Sequence, residues 1–136
     1  MNTNVLVVDD DEPIRKLLER VLSTAGYKVH MASSGEDALR IIRKTRIYVF
    51  LLDLQLPGMD GLELCRRIRS DHPISCIYAF TGHASLYDLA ACREIGFDDY
   101  FTKPFQVDEF LEAIRDGFQK LERWEKSSQE TPASVE

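Results

Sequence analysis

The strongest constraint on the fold is an alternation: short, unbroken apolar runs take turns with segments whose apolar residues recur at helical spacing. A short apolar run bounded by turn residues reads as a strand buried on both faces, whereas apolar residues at i, i+3, i+4 and i+7 mark one face of a helix. Val5-Leu6-Val7-Val8 is the first such run. Ile14, Leu17, Leu18, Val21, Leu22 and Ala25 then share one helix face, which Gly26 can end. Residues 27–31 form a second, shorter strand, and Ser34 with Asp37 three residues on has the pattern of a helix N-cap. The third strand, 48–53, ends in the stretch VFLLDLQLPGMDG, where four apolar residues run into Asp53 and then into the Pro57-Gly58 turn.

Leu64, Cys65 and Ile68 mark the next helix, ending near Ser70, and Pro73 leads into a fourth strand over 74–80. A helix over about 85–95 is closed by Gly96. Tyr100 and Phe101 belong to a short fifth strand that ends at Lys103-Pro104. Val107, Phe110, Leu111, Ile114, Phe118 and Leu121 define a long last helix. Five strands alternating with five helices predict an α/β fold, a doubly wound parallel sheet with right-handed crossovers and helices on both faces.

A chain of 136 residues fits one domain with a core large enough to fold unaided. The expected domain covers 1–125. From Lys126 on, KSSQETPASVE is polar and without periodicity, so 126–136 read as a disordered tail, with no output domain expected. Seventeen basic against 23 acidic residues, a net charge of -6, argue against a nucleic-acid-binding face, so direct DNA binding is not expected. Cys65, Cys76 and Cys92 are odd in number and widely spaced, which reads as buried free thiols rather than a disulfide framework or a metal site. The N-terminal apolar run is too short for a signal peptide or membrane anchor, and no later run approaches bilayer length. A soluble, cytoplasmic protein without membrane contact is the expectation.

Ligands of open parallel sheets bind outside the C-terminal ends of the strands. The first strand ends in Asp9-Asp10-Asp11, the third in Asp53, the fourth in Thr81 and the fifth in Lys103. Any one polar residue at a strand end marks only the place where the chain meets water. The set is more informative, because clustered carboxylates repel one another unless a cation holds them. All-oxygen ligation suits a hard divalent ion such as Mg²⁺. Lys103 then calls for a second anion, and a phosphoryl group satisfies it: its oxygens can face the metal, the Lys103 ammonium and the Thr81 hydroxyl while a carboxylate attacks phosphorus.

The motifs VLVVDDDEPIRKLLERVL, LLDLQLPGMDGLEL, FTGHAS and YFTKPF, in this order, resemble the receiver domain of two-component response regulators over about residues 3–124. The resemblance implies a flavodoxin-like (βα)5 fold with strand order 2-1-3-4-5. It implies Asp53 as phosphoacceptor, Asp10 as a direct Mg²⁺ ligand, Asp9 acting mostly through water, and the Gln55 carbonyl as a further ligand. Thr81 and Lys103 would attend the phosphoryl group, and Tyr100 would be the aromatic switch that follows Thr81. A cis Lys103-Pro104 peptide is also implied. So are a histidine kinase or histidine phosphotransfer protein as donor and a downstream effector protein as target. Partner control would run through the surface of the fourth helix, fifth strand and fifth helix, and a homodimer through the face shared by the fourth and fifth helices is a candidate assembly. In the family Gln55 and His83 occupy positions that tune the lifetime of the phosphorylated state.

Asp11 is expected to cap the first helix, and Asp60-Gly61 to make a turn and helix start. His30 and His72 read as structural or surface residues, and Trp124 as packing on the domain or joining a dimer. Two other readings remain. A haloacid dehalogenase-type phosphatase also uses a strand-end aspartate nucleophile, but needs a second acid two residues later, where this chain has Gln55. A pseudo-receiver scaffold would leave the intact acid, hydroxyl and lysine set without a purpose.

Overall fold

The computed structural model describes residues 2–82, 89–104 and 106–135, with 126–135 by backbone alone. In chain order the elements are β1 (Asn4–Val8), α1 (Glu12–Thr24), β2 (Lys28–Ala32), α2 (Gly35–Lys44), β3 (Val49–Asp53), α3 (Gly61–Asp71), β4 (Cys76–Thr81), α4 (Leu89–Ile95), β5 (Asp99–Thr102) and α5 (Val107–Val135). All strand pairs are parallel, in the order β2-β1-β3-β4-β5. The flavodoxin-like doubly wound sheet expected from the sequence is the sheet that forms.

β3 lies at the centre and every one of its residues is buried, which is why its sequence is a continuous apolar run and not an alternating one. Successive side chains leave a strand on opposite faces, so each strand feeds two cores. On one face Leu6, Val8, Phe50, Leu52, Ile77 and Ala79 pack with Ala38 of α2, Leu64, Cys65 and Ile68 of α3 and Cys92 of α4. On the other, Val5, Val7, Val49, Leu51 and Phe80 meet Leu18 and Leu22 of α1 and Phe110, Ile114 and Phe118 of α5. The three cysteines are free and buried, as expected. Burial in the apolar layer pushes the Cys65 thiol up to about 12 and raises Cys76 as well.

The helix signals act locally as their chemistry predicts. Ser34 Oγ accepts from Asp37 N–H at 3.1 Å, and Asp60 Oδ1 accepts from Glu63 N–H at 2.9 Å. Gly26, at φ +99°, follows α1 in a conformation that an L side chain rarely adopts. His72 takes the C-cap position of α3, and His30 meets Asn4 Oδ1 at 3.2 Å between β2 and β1, both structural placements.

Three expectations need correction. Asp11 occupies the N-cap position of α1, but its side chain makes no capping bond; its N–H donates instead to Asp9 Oδ1. β4 begins at Cys76 and not at residue 74. Arg69 of α3 takes the Pro73 and Ser75 carbonyls, each at 3.0 Å, and leaves Ile74 43% exposed ahead of the strand. Residues 126–135, expected to be disordered, continue α5. Phe110, Ile114 and Phe118 anchor the helix, so further turns no longer carry the cost of nucleation. The first part of the helix expected over 85–95, and His83, lie outside the described residues.

One close approach bears on the site. Gly61 opens α3 directly beneath the end of β3, its N–H bonded to Leu54 O at 3.1 Å. A Cβ there would collide with the Asp53 carbonyl oxygen and come within 2.8 Å of Leu54 Cα. Because both obstacles are backbone, Gly61→Ala should lower unfolding stability by about 1–3 kcal/mol, the usual cost of overpacking. Gly82→Ala, whose added carbon meets only Lys103 Cδ, at 3.9 Å, among the described residues, should be near neutral in the same denaturant titration.

The thiols give a second test. Folding holds the Cys65 proton from the ordinary value of 9.0 up to about 12, so over that range the unfolded chain loses a proton that the folded one keeps. The Cys65 contribution to stability must therefore fall as pH rises. At neutral pH Cys65 and Cys76 should resist an aromatic disulfide reagent in the native protein and react promptly in denaturant.

Candidate functional site

The sheet register assembles the site. β1 pairs with β3 through Val8↔Leu52, and β3 pairs with β4 through Asp53↔Phe80. One step beyond Val8 and Leu52, Asp9 and Asp53 come level on adjacent strands, about 5 Å apart across the sheet. Strand order reverses here: the chain goes from β1 out to β2, then returns past β1 to β3, which opens the crevice where such sheets bind ligands. Asp9 follows Val5 and Val7, and Asp53 follows Val49 and Leu51, so both acids leave the sheet toward α1 and α5. Thr81 follows Ala79 on the opposite face, where Tyr100 also packs.

Asp9 is fully buried, Asp53 is 6% exposed and Asp10 is exposed. Carboxylate oxygens of Asp9, Asp10 and Asp53 lie within 4.8 Å of one another. Lys103 closes the row from β5: its ammonium reaches Asp9 Oδ2 at 2.9 Å and Asp53 Oδ2 at 3.2 Å, and stands 4.8 Å from the Phe80 ring centre. Thr81 is fully buried at the end of β4, and its carbonyl accepts from Lys103 N–H at 2.8 Å, which holds the start of the β5–α5 connection against β4. The Lys103-Pro104 peptide is cis. Asp53 Oδ1 accepts from Gln55 N–H at 3.0 Å, so the backbone after the strand turns back onto the carboxylate.

Burial is the main influence raising the Asp9 carboxyl above its ordinary value, and Asp53 adds to it; the Asp11 N–H and Lys103 oppose it without cancelling it. For Lys103 burial alone would favour the neutral amine, but the bond to Asp9 and the charge of Asp53 outweigh it and the ammonium is raised. The end of the sheet is thus a buried pair of acids compensated by one partly buried cation. Such a donor set, all carboxylate oxygen and partly open to water at Asp10, fits a hard divalent cation of the Mg²⁺ type. With the ammonium beside the acids, a small anion also has a counter-charge.

Asp9, Asp10, Asp53 and Lys103 meet directly. Gln55 is joined to them through its N–H, while Thr81 and Tyr100 lie on the neighbouring face of β4 and β5. Residue pattern alone missed Arg15 and Arg69, and read Gly61 as part of a turn and helix start without its close approach to the end of β3. Gly61 carries a signal in hindsight, since glycine is a poor residue for a first helical turn unless something approaches closely. Arg69, 27 positions from Gly96 in sequence, donates to its carbonyl and, at 2.9 Å, to Asp98; nothing in local spacing announces that contact.

Among the described residues, no helix is long and apolar enough to cross a membrane. Residues 5–115 match the family described as response regulator receiver domain. Response regulator MprA of Mycobacterium ulcerans (strain Agy99) is 40% identical over 115 residues, which make up 85% of this chain and 50% of MprA. The chain thus spans about half the length of the curated relatives it matches. A CheY-like response regulator receiver domain protein from Methanospirillum hungatei JF-1 superimposes with a TM-score of 0.82 at 31% identity, covering 93% of this chain and 99% of that one. NtrX from Brucella abortus gives a TM-score of 0.87 at 27% identity, over 95% of this chain and 29% of NtrX. Fold, acidic crevice and relatives agree, and the chain belongs to the receiver domains of two-component response regulators.

Proposed function

We propose that residues 1–125 act as a phosphorelay switch in which Asp53 is the phosphoacceptor. The observation that carries this reading is the position of Asp53: a nearly buried carboxylate at the tip of the central strand, with the Lys103 ammonium at 3.2 Å and the Asp9 and Asp10 carboxylates beside it. An Asp53 oxygen attacks the phosphorus of a phosphohistidine on a sensor kinase or histidine phosphotransfer protein, or of a small phosphodonor. The phosphorus–nitrogen bond breaks, and its electron pair stays on the imidazole nitrogen. Lys103 then faces one phosphoryl oxygen and the Thr81 hydroxyl another, while the Gln55 N–H keeps the carboxylate oriented for attack.

Asp9, Asp10, Asp53 and the Gln55 carbonyl would hold Mg²⁺, which when bound neutralises charge on the transferring group. Phosphorylation replaces the single charge of the Asp53 carboxylate by a phosphoryl group carrying about two negative charges, and draws Thr81 and Lys103 toward it. Thr81 and Tyr100 share one face of β4 and β5, so movement of Thr81 changes the space open to the Tyr100 ring. This biases the surface of α4, β5 and α5 toward one of two states, and a downstream effector protein or a second copy of the chain reads it. The Gln55 side chain, in place of a second acid, gives the phosphatase reading no support.

Asp53→Asn should abolish labelling by radioactive acetyl phosphate, and chelation of Mg²⁺ should abolish it in the wild type. Beryllofluoride with Mg²⁺ should shift the Tyr100 resonances of the wild type and leave those of the variant in place; stoichiometric labelling of Asp53→Asn would defeat the assignment.

Lys103 separates two contributions. Lys103→Met should slow acetyl phosphate labelling roughly 100-fold, the scale on which a charge-stabilising donor acts. It should leave Mg²⁺ binding undiminished or stronger, since the ammonium that competes for Asp9 and Asp53 is gone; calorimetric titration with Mg²⁺ reads the second effect.

A further inference from the structure

Every polar group of Asp9 is engaged. Its N–H donates to Ala32 O at 3.1 Å, Oδ1 accepts from Asp11 N–H at 3.0 Å, Oδ2 accepts from Lys103 Nζ at 2.9 Å, and its carbonyl accepts from Arg15 Nη1 at 2.7 Å. Three of these four bonds follow from the sheet, the turn and the site itself. The fourth comes from a side chain six residues downstream that neither the apolar pattern nor the acidic motif singles out. We propose that Arg15 is a positioning residue for the cation site: it clamps the Asp9 carbonyl and so sets the turn that presents Asp9 and Asp10.

The geometry explains why this bond has leverage. Asp9, Asp10 and Asp11 link β1 to α1, and Asp10 is exposed, so its carboxylate direction depends on the backbone around it. Arg15 lies in the first turns of α1, with its own N–H bonded to Asp11 O at 3.1 Å. The residue therefore grips the turn at both ends, by main chain at Asp11 and by guanidinium at Asp9. A charged donor at 2.7 Å from a carbonyl makes a strong, directional bond. The same guanidinium is a cation among acids, and its charge adds a minor share to what favours the ionised forms of Glu12 on its own helix and Asp37 in the first turn of α2. Arg15 touches neither Asp10 nor Asp53 by any hydrogen bond among those described, and acts through Asp9.

The inference rests on the reading of Asp9 and Asp10 as cation ligands, and the test separates the two. Mg²⁺ is titrated calorimetrically into wild type, Arg15→Gln and Arg15→Lys, and backbone ¹⁵N order parameters of residues 9–11 are measured without metal. Arg15→Gln should weaken Mg²⁺ binding roughly 10-fold, the lower end of the range for losing a residue that orients ligands. It should also lower the order parameters of the turn while melting at the wild-type temperature. Arg15→Lys, which keeps the charge and a donor, should recover most of both. Unchanged Mg²⁺ affinity in Arg15→Gln would overturn the inference, as would a loss of affinity with an unaltered turn. Absence of Mg²⁺ binding in the wild type would instead overturn the cation-site reading, and this inference with it.

Discussion

The site depends on one cation held between two buried carboxylates. Asp9 and Asp53 stand level on neighbouring strands and are both withdrawn from water, an arrangement whose repulsion would be costly without compensation. Lys103 supplies that compensation at 2.9 and 3.2 Å, and the two acids in turn favour its charged form against the effect of burial. The arrangement satisfies the fold, yet it keeps a charge deficit at the open side, where Asp10 meets solvent. A cation entering there and an anion drawn by Lys103 would each improve an electrostatic balance that the protein alone leaves incomplete.

Rigidity around that balance comes from backbone geometry more than from side-chain bulk. The central strand is buried along its whole length, so Asp53 cannot move without disturbing both cores. Gly61 lets α3 start against the Asp53 carbonyl, and the Gln55 N–H returns to the carboxylate from above. On the other side of the row, Ala32, Asp11 and Arg15 fix Asp9. At the opposite end of β4, Arg69 ties the end of α3 to the lead-in of β4 and to the loop after α4. Position is what phosphoryl transfer demands of a protein, because its transition state asks for alignment and neutralised charge rather than elaborate covalent chemistry.

Most of the architecture was legible because its causes are local. Val49 to Leu52 read as a buried strand from composition alone, and Ser34 and Asp60 sit where their side chains can reach the first free N–H groups. Asp11 shows the limit of such reasoning: it holds the right position, but the neighbouring Asp9 carboxylate captures its N–H and its own side chain makes no cap. Ile74 reads as strand by hydropathy, yet Arg69 removes the carbonyls on either side of it from the ladder. The extension of α5 past residue 125 escaped pattern reading for a different reason, since a helix continued by propagation needs no apolar face.

By itself the sequence determined which residues could carry the chemistry and in which order the strands and helices occur, because apolar period, caps and strand-end acids are properties of short segments. Only the tertiary structure decided that Asp9 and Asp53 come level, that Lys103 divides itself between them, and that Arg15 and Gly61 hold the frame. Those facts depend on sheet register and on contacts between positions as far apart as Asp9 and Lys103, 94 residues in sequence. Such distances are set by how the whole sheet twists and packs, and no local pattern encodes them.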